Sequence, residues 1–305
     1  MKRFSKITTT QLARICGVSQ GTVDRALHDR GDINPKTKEK ILKVAKEYDY
    51  SPSLTVAEQG NSMLIGVVLF DLYNEFFSTL AMNLCNEAKK SGYSILFQFS
   101  NKNMKNERSA LEYFDYIGVD GIILFSIGSD SEDYKNYLHS IKKPLVVIGN
   151  KLFDLPYVGI DDERAMTELT TTLLHDCDKT KVLFFSPALN ENLHSLNAQR
   201  LRVQGFISAV KKQNLEYEII TKVEDINPDL PIVCSTDYYA LKVLSYFNYP
   251  KNITIAGFDN TLLIKALQPT MLSVECHTDL IAQQCINFIL GKKYNAIIQH
   301  KISLA

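Results

Sequence analysis

Over the first fifty residues apolar positions recur at helical spacing. From Leu64 onward they gather into short continuous runs separated by helical stretches. In the head, Leu12 and Ile15 share a helical face, Thr8 or Thr9 supplies an N-cap hydroxyl, and Gly17 ends the helix because it takes positive φ without steric cost. Ser19 caps a second helix, which turns Val23, Ala26 and Leu27 inward and leaves Gln20, Gly21, Asp24, Arg25 and His28 outward. Two short helices on a tight Gly-containing turn form a helix-turn-helix pattern. Asn34-Pro35 opens a third helix, Asn as N-cap and Pro at the first helical position, where its missing N–H costs nothing. Ile41, Leu42, Val44, Ala45 and Tyr48 form its buried side; Lys36, Lys38, Lys40, Lys43 and Lys46 line the other.

Beyond Leu64, strands are predicted at 64–70, 94–99, 121–125, 145–148, 181–185, 218–221, 231–234, 254–258 and 271–274. Helices are predicted near 76–91, 106–117, 131–140, 163–176, 198–213, 237–247, 260–266 and 278–290. Runs such as IGVVLF and GIILF are apolar throughout, which suits strands covered on both faces of a parallel sheet. About 240 residues of β-α alternation suit two doubly wound, Rossmann-like subdomains. Sites in such folds lie at the carboxyl ends of strands. The expected division is a head at 1–51, a linker at 52–63 and a body at 64–305, whose subdomains are 64–160 plus 277–294 and 161–276 plus 295–305.

Charge sharpens this division. The chain of 305 residues is neutral overall, but residues 1–50 hold eleven Lys and Arg against six Asp and Glu, leaving the head at +5 and the rest at −5. A basic head on an acidic body is the footprint of a nucleic-acid-binding module attached to something else. Six scattered cysteines without a C-x-x-C pair read as buried thiols, not as disulfides or a metal site. No apolar signal segment or membrane-length run is found, so a cytoplasmic location without membrane association is expected. No phosphate-binding glycine loop, H-E-x-x-H, G-x-S-x-G or Cys/His cluster follows any strand. No cofactor, metal or catalytic residue is therefore expected, and His175, His194, His277 and His300 read as surface or structural groups.

The head segment QLARICGVSQGTVDRAL, with its third helix and the exit Tyr50-Ser51-Pro52-Ser53, resembles the N-terminal signature of the LacI/GalR family of bacterial transcription regulators. The resemblance implies that the second helix enters the major groove of operator DNA. Gln20 and Gly21 would face base edges, Arg25 would donate to guanine or phosphate, and Asp24 replaces the usual Ser. Thr8, Ser19, Thr22 and His28 complete the candidate DNA-contacting set, with backbone contacts from Lys2, Lys6 and Thr22. In the family the linker holds a hinge helix whose Leu wedges into the minor groove. Here L-T-V-A-E-Q offers Leu54 or Val56 for that role, or forms a plain linker.

The same resemblance implies a periplasmic-binding-protein-like body. Asp71-Leu72-Tyr73-Asn74-Glu75-Phe76-Phe77 is similar to the family's D-x-x-N-P-F-F, with Glu75 where Pro is usual. There Asn bonds sugar hydroxyls and the Phe rings pack on the sugar's apolar face, although one of Phe76 and Phe77 is expected to be core. Val158-Gly159-Ile160-Asp161-Asp162 resembles V-x-x-D-N and would present Asp161 to the cleft. Arg202-Val203-Gln204-Gly205-Phe206 matches R-x-x-G-F through Arg202, with Arg200 as second choice. Thr236 stands where Asn is usual, Asp237 would cap the helix after it, and Asp259 in Gly257-Phe258-Asp259-Asn260 would bind ligand hydroxyls. Asn150 and Cys276 depart from the residues usual at their positions.

The expected fold is thus an all-α helix-turn-helix head joined to an α/β periplasmic-binding-protein-like body of two Rossmann-like subdomains. The expected function is that of a homodimeric repressor whose grip on double-stranded operator DNA is controlled by a small sugar-like effector. The competing readings are a carbohydrate-binding receptor or enzyme without a DNA role, and a regulator that senses a nucleobase or another small polar metabolite. Two Asp residues in one cleft also suit a glycosidase, but binding alone needs no nucleophile.

Overall fold

The computed structural model describes residues 9–27, 33–48, 62–129, 131–175, 177–190, 197–250 and 252–305. The chain forms two compact units, 1–60 and 61–305.

The head holds α1 (Thr9–Cys16), α2 (Gln20–Leu27) and α3 (Pro35–Glu47). Gly17 has φ 69°, the left-handed stop expected after α1. Ser19 Oγ accepts from the Thr22 amide at 3.2 Å, and Asn34 Oδ1 accepts from the Lys36 amide at 2.9 Å. The core is Leu12, Ala13, Cys16, Val23, Ala26, Ile41 and Ala45. It is narrower than the sequence suggests, since Ile15, Leu42 and Tyr48 are each more than 40% exposed. Leu12/Cys16 and Ile41/Ala45 form i, i+4 stripes; Ile15 and Leu42 project off them, and Tyr48 sits at the C-cap past the packed stripe. Lys40 is not merely solvated, because its Nζ donates to the Cys16 carbonyl at 3.1 Å, a cation at the C-terminal end of α1. Thr8, His28 and Leu54 lie outside the described residues.

The body has two sheets. The first runs β2-β1-β3-β4-β5, all parallel, from β1 (Leu64–Leu69), β2 (Ser94–Phe99), β3 (Gly121–Leu124), β4 (Leu145–Ile148) and β5 (Tyr157–Val158). Its helices are α4 (Glu75–Lys90), α5 (Met104–Ile117), α6 (Glu132–Ser140) and, from the far end of the chain, α11 (Thr278–Ile289), which packs on α4. The second sheet runs β11-β10-β9-β8-β6-β7. It comprises β6 (Lys181–Phe185), β7 (Glu216–Ile220), β8 (Ile232–Cys234), β9 (Ile255–Asp259), β10 (Leu272–Glu275) and the antiparallel edge β11 (Lys301–Leu304). Its helices are α7 (Asp162–Leu173), α8 (Asn197–Lys212), α9 (Asp237–Tyr246) and α10 (Leu262–Leu267).

The apolar runs explain the layout. β1, β3 and β4 are buried almost end to end, as parallel strands covered on both faces must be. β5 and β11 escape a sequence reading because one is two residues long and the other is a half-polar edge, KISL. β7 begins at Glu216 instead of 218, since the edge strand EYEII is largely solvated and its polar start looks like loop.

The chain passes between the lobes after β5, after β10 and before β11. Two of these crossings pair with each other: the Gly159 amide donates to the Ala296 carbonyl at 3.0 Å and the Ile298 amide to the Gly159 carbonyl at 2.7 Å. Gly205 lets α8 lie against α7, for a Cβ there would stand 2.2 Å from the Glu163 carbonyl oxygen.

Candidate functional site

The loops after the carboxyl ends of β1, β2, β3, β4, β6, β8 and β9 converge on a cavity of about 350 Å³ between the two sheets. One wall is aromatic. Phe70, Phe76, Phe77 and Phe125 pack edge to face with centroids 4.8–6.4 Å apart. Phe77 is buried in the core whereas Phe76 is more open, so Phe76 is the ring with a free face. The Phe76 ring, backed by the edge-to-face cluster, offers an apolar face of the kind that packs on a sugar's C–H face or a planar base.

The opposite wall is polar and centred on Arg202. Its Nε donates to Asp162 Oδ1 at 2.8 Å, its Nη1 donates to the Ser235 carbonyl at 2.7 Å, and its guanidinium carbon lies 3.6 Å from the centroid of Phe258. Burial works against the Arg202 charge, but Asp162 and Asp259 together outweigh it and hold the guanidinium more firmly protonated than usual. Burial also pushes both carboxyls upward, with Arg202 opposing it. Asp259 has φ 114°, a conformation that non-glycine residues adopt only when their surroundings impose it. Asn74, from the first lobe, lines the same cavity and works with Arg202 to favour the charged form of Asp259.

Seven of the eight residues expected to bind ligand line this cavity: Asp71, Asn74, Phe76, Phe77, Arg202, Thr236 and Asp259. Asp161 does not. It is exposed and spends its carboxylate as the N-cap of α7, accepting from the Arg164 amide at 3.0 Å. Asp162, one residue on, is the buried partner of Arg202. A second correction concerns α9, whose N-cap is Thr236, accepting from the Tyr239 amide at 3.2 Å. Asp237 instead points inward and takes hydrogen bonds from Thr261 N (2.8 Å), Thr261 Oγ1 (3.1 Å) and Ser273 Oγ (2.8 Å). Cys276 is buried behind the cavity, its Sγ 3.9 Å from Asp259 Oδ1.

Asn150 has a structural task beside the cavity it lines. Its Nδ2 donates to the Ser126 carbonyl at 2.8 Å and its Oδ1 accepts from the Ala198 amide at 3.0 Å, so one side chain ties the first lobe to the start of α8. Buried Glu107 holds the Ser126 end of this bridge, accepting from Ser126 Oγ (2.7 Å), Ile127 N (2.9 Å) and the Tyr134 hydroxyl.

Lys102, Gln199, Tyr73 and Tyr238 also line the cavity and were not singled out from the sequence. Lys102 follows β2, where the rule of strand carboxyl ends pointed; Gln199 lies three residues before Arg202 on the same helix face. Gln199 Oε1 is occupied by Ser186 Oγ at 3.1 Å.

In the head, α2 holds Val23 and Ala26 in the core, while Gln20, Gly21 and Arg25 are exposed on the other side and Thr22 and Asp24 are half-buried. Arg25 Nε folds back onto the Gly21 carbonyl at 3.1 Å and Gln20 Nε2 donates to Thr10 Oγ1, so both side chains are positioned from within the head. Ser19 and Thr22 share a hydroxyl contact of 2.9 Å.

Sequence comparison decides what this pairing of head and cleft is. Residues 9–53 match the family of bacterial regulatory proteins, lacI family, and residues 62–233 match the periplasmic binding proteins and sugar binding domain of LacI family. The chain belongs to the LacI family. Among LacI-family relatives, the ribose operon repressor of Bacillus subtilis (strain 168) is 24% identical over 306 residues, covering 93% of this chain and 91% of the relative. The sucrose operon repressor of Pediococcus pentosaceus is 26% identical, covering 96% and 95%. Catabolite control protein A of Priestia megaterium is 27% identical, covering 88% and 87%. A solved LacI-family regulator from Silicibacter pomeroyi aligns over 98% of both chains with TM-score 0.69 and 21% identity, and a CelR–cellobiose complex over the same share with TM-score 0.63 and 18% identity. These likenesses establish the helical head and the parallel α/β body as the fold of LacI-family regulators.

Proposed function

We propose that this LacI-family protein is a sequence-specific transcriptional repressor whose operator affinity is set by a small sugar or sugar derivative held in the body cleft. The observation that carries this reading is the cleft itself: an aromatic wall of Phe70, Phe76 and Phe125, with Asn74 beside it, faces Arg202 and Asp259 across about 350 Å³, in a chain that also bears a helix-turn-helix head. A sugar ring offers C–H faces to the rings and hydroxyls to the polar groups. The names of relatives lend support, among them repressors of ribose and sucrose operons, a regulator in complex with cellobiose, and a regulator in complex with fructose 1-phosphate.

Two heads of a homodimer read half-sites of a pseudo-palindrome, with α2 in the major groove. Ser19, Gln20, Gly21, Thr22, Asp24 and Arg25 contact DNA, with Thr8, His28 and Leu54 added from the sequence pattern. Filling the cleft alters the angle between the lobes and hence the spacing of the heads, a coupling of about 1–3 kcal/mol. No residue needs a catalytic role, and the protein acts in the cytoplasm on double-stranded DNA.

The test is a mobility-shift titration with operator-like DNA in the presence of sugars, sugar phosphates and purines. Binding to DNA that one sugar class strengthens or weakens is the expected result. Absence of DNA binding at low salt sinks the repressor reading, and a response to purines alone moves the effector to the nucleobase class.

A further inference from the structure

Beside the cavity, and in addition to the Asn150 bridge, the two lobes touch through a carboxylate. Glu75 is the first residue of α4, in the first lobe. Its Oε1 accepts from the Leu262 amide at 2.7 Å and its Oε2 from the Leu263 amide at 3.0 Å, both at the start of α10 in the second lobe. The acceptor is 187 residues away in sequence from the first of these donors. α10 has no side-chain cap of its own: Thr261, its N-cap residue, gives its hydroxyl and amide to Asp237. A carboxylate from the other lobe therefore does the capping.

This contact is continuous with the cavity on both sides. Asn74 and Phe76, the neighbours of Glu75, line the cavity together with Asp259. Asp259 ends β9 three residues before α10 and carries the unusual φ of 114°. Residues 74–76 and 259–263 thus meet as two short segments, and what fixes their separation fixes Asp259 relative to Asn74 and Phe76. We propose that Glu75 is a positioning residue of the effector cleft: it clasps α10 to α4, holds the lobes in the arrangement seen here, and thereby sets effector affinity without touching the effector. The affinity half of this statement rests on the cleft being the effector site; the clasp itself does not.

Three substitutions isolate the carboxylate. Pro suits the first position of a helix, where its missing N–H is unpaired in any case, and Asn74 before it has φ −82° and ψ 124°, a conformation that tolerates a following Pro. Glu75→Pro therefore removes the clasp and keeps α4. Glu75→Asp keeps the negative charge at the start of α4 but is one methylene too short to reach both amides. Glu75→Gln keeps the length and one acceptor oxygen.

The experiment uses full-length protein with spin labels introduced through a bioorthogonal amino acid at exposed Tyr116 in α5 and Tyr246 in α9, one in each lobe. Pulsed dipolar spectroscopy without ligand reads the distance between lobes, and calorimetry reads the Kd of whichever sugar the wild type binds. With labelled protein diluted into unlabelled protein so that distances within one protomer dominate, a single narrow distance is expected in the wild type, shifted or broadened in Glu75→Pro and Glu75→Asp and intermediate in Glu75→Gln, which keeps one of the two acceptors. Effector Kd is expected to weaken about tenfold in the first two, the size expected for losing charge-assisted hydrogen bonds at a half-exposed site. Wild-type distance distributions in both Pro and Asp variants overturn the clasp. Altered distances with unchanged Kd overturn its role in affinity. If no sugar binds the wild type, the effector reading falls by itself, and the distance measurement still decides the clasp.

Discussion

Arg202 and Asp162 are paired in the interior of the second lobe, with only 11% and 4% of their side chains exposed and 2.8 Å between Nε and Oδ1. A buried pair is costly to form and costlier to break, because removing one partner strands the other charge away from water. Arg202→Ala is expected to destabilise the body by about 3–5 kcal/mol, as well as abolishing any effector contact. Asp162→Asn retains an acceptor for Nε and is expected to cost less. Urea denaturation followed by circular dichroism measures both; equal stabilities for wild type and Arg202→Ala would remove Asp162 as its partner.

Asp237 predicts a pH dependence. Burial raises its pKa from 3.8 to about 6, against the three hydrogen bonds that favour its charged form. Between those values the native state holds the proton and the unfolded chain has released it, so stability from this group is full below about pH 4 and declines as pH rises to about 6. The loss amounts to about 3 kcal/mol at most. In Asp237→Asn, which cannot ionise, the difference from wild type should change across that window and stay constant above it. A difference independent of pH between 4 and 6 would contradict the raised value.

Gly205 sits in mid-helix, where Ala is normally favoured by up to about 1 kcal/mol. Here a Cβ would lie 2.2 Å from the Glu163 carbonyl oxygen and 3.1 Å from Met166 Cβ, and a backbone atom cannot step aside as a flexible side chain does. Strain from such overpacking is about 1–3 kcal/mol, so the clash outweighs the propensity gain. Gly205→Ala should lower the melting temperature; a rise would mean that α7 and α8 are packed less closely.

On α2, Arg25→Ala should weaken operator binding by about 1–3 kcal/mol if it reads guanine, and by a similar factor on all sequences if it reads only phosphate. On the proposed DNA-facing surface, Asp24→Ser removes a carboxylate that would repel phosphates and should tighten non-specific binding, most visibly at low salt. Fluorescence anisotropy on operator and random duplexes at two salt concentrations separates these outcomes.

Much of this molecule is written locally. Gly17 and Asn34-Pro35 bound the helices of the head through backbone preferences that need no tertiary partner, and all the helices predicted for the body are present within a few residues. The apolar runs at 64–69, 121–124 and 145–148 had to become buried parallel strands, since only cover on both faces removes so many adjacent apolar residues from water. The motif at 71–77 and the carboxylate at Asp259 were legible because each stands at the carboxyl end of a strand, where such sheets face the cleft, and because each resembles a motif of the LacI/GalR family.

What the sequence left open turns on one-residue steps and on distant partners. Asp161 and Asp162 are chemically the same, yet one caps its own helix in solvent and the other, rotated by one helical position, faces inward to Arg202. Thr236 and Asp237 exchange roles for the same reason. Glu75 looked like a mere departure at a proline position, and Asn150 like a lost contact; each proves to bridge the lobes, to Leu262 and Leu263 in one case and to Ala198 in the other. The sequence by itself determined the elements other than β5 and β11, their order and the loops that form the cleft, because those follow from local periodicity and from which runs must leave water. Only the tertiary structure decided which side chains meet across the cleft, because those partners are brought together by packing and have no signature in the spacing of the chain.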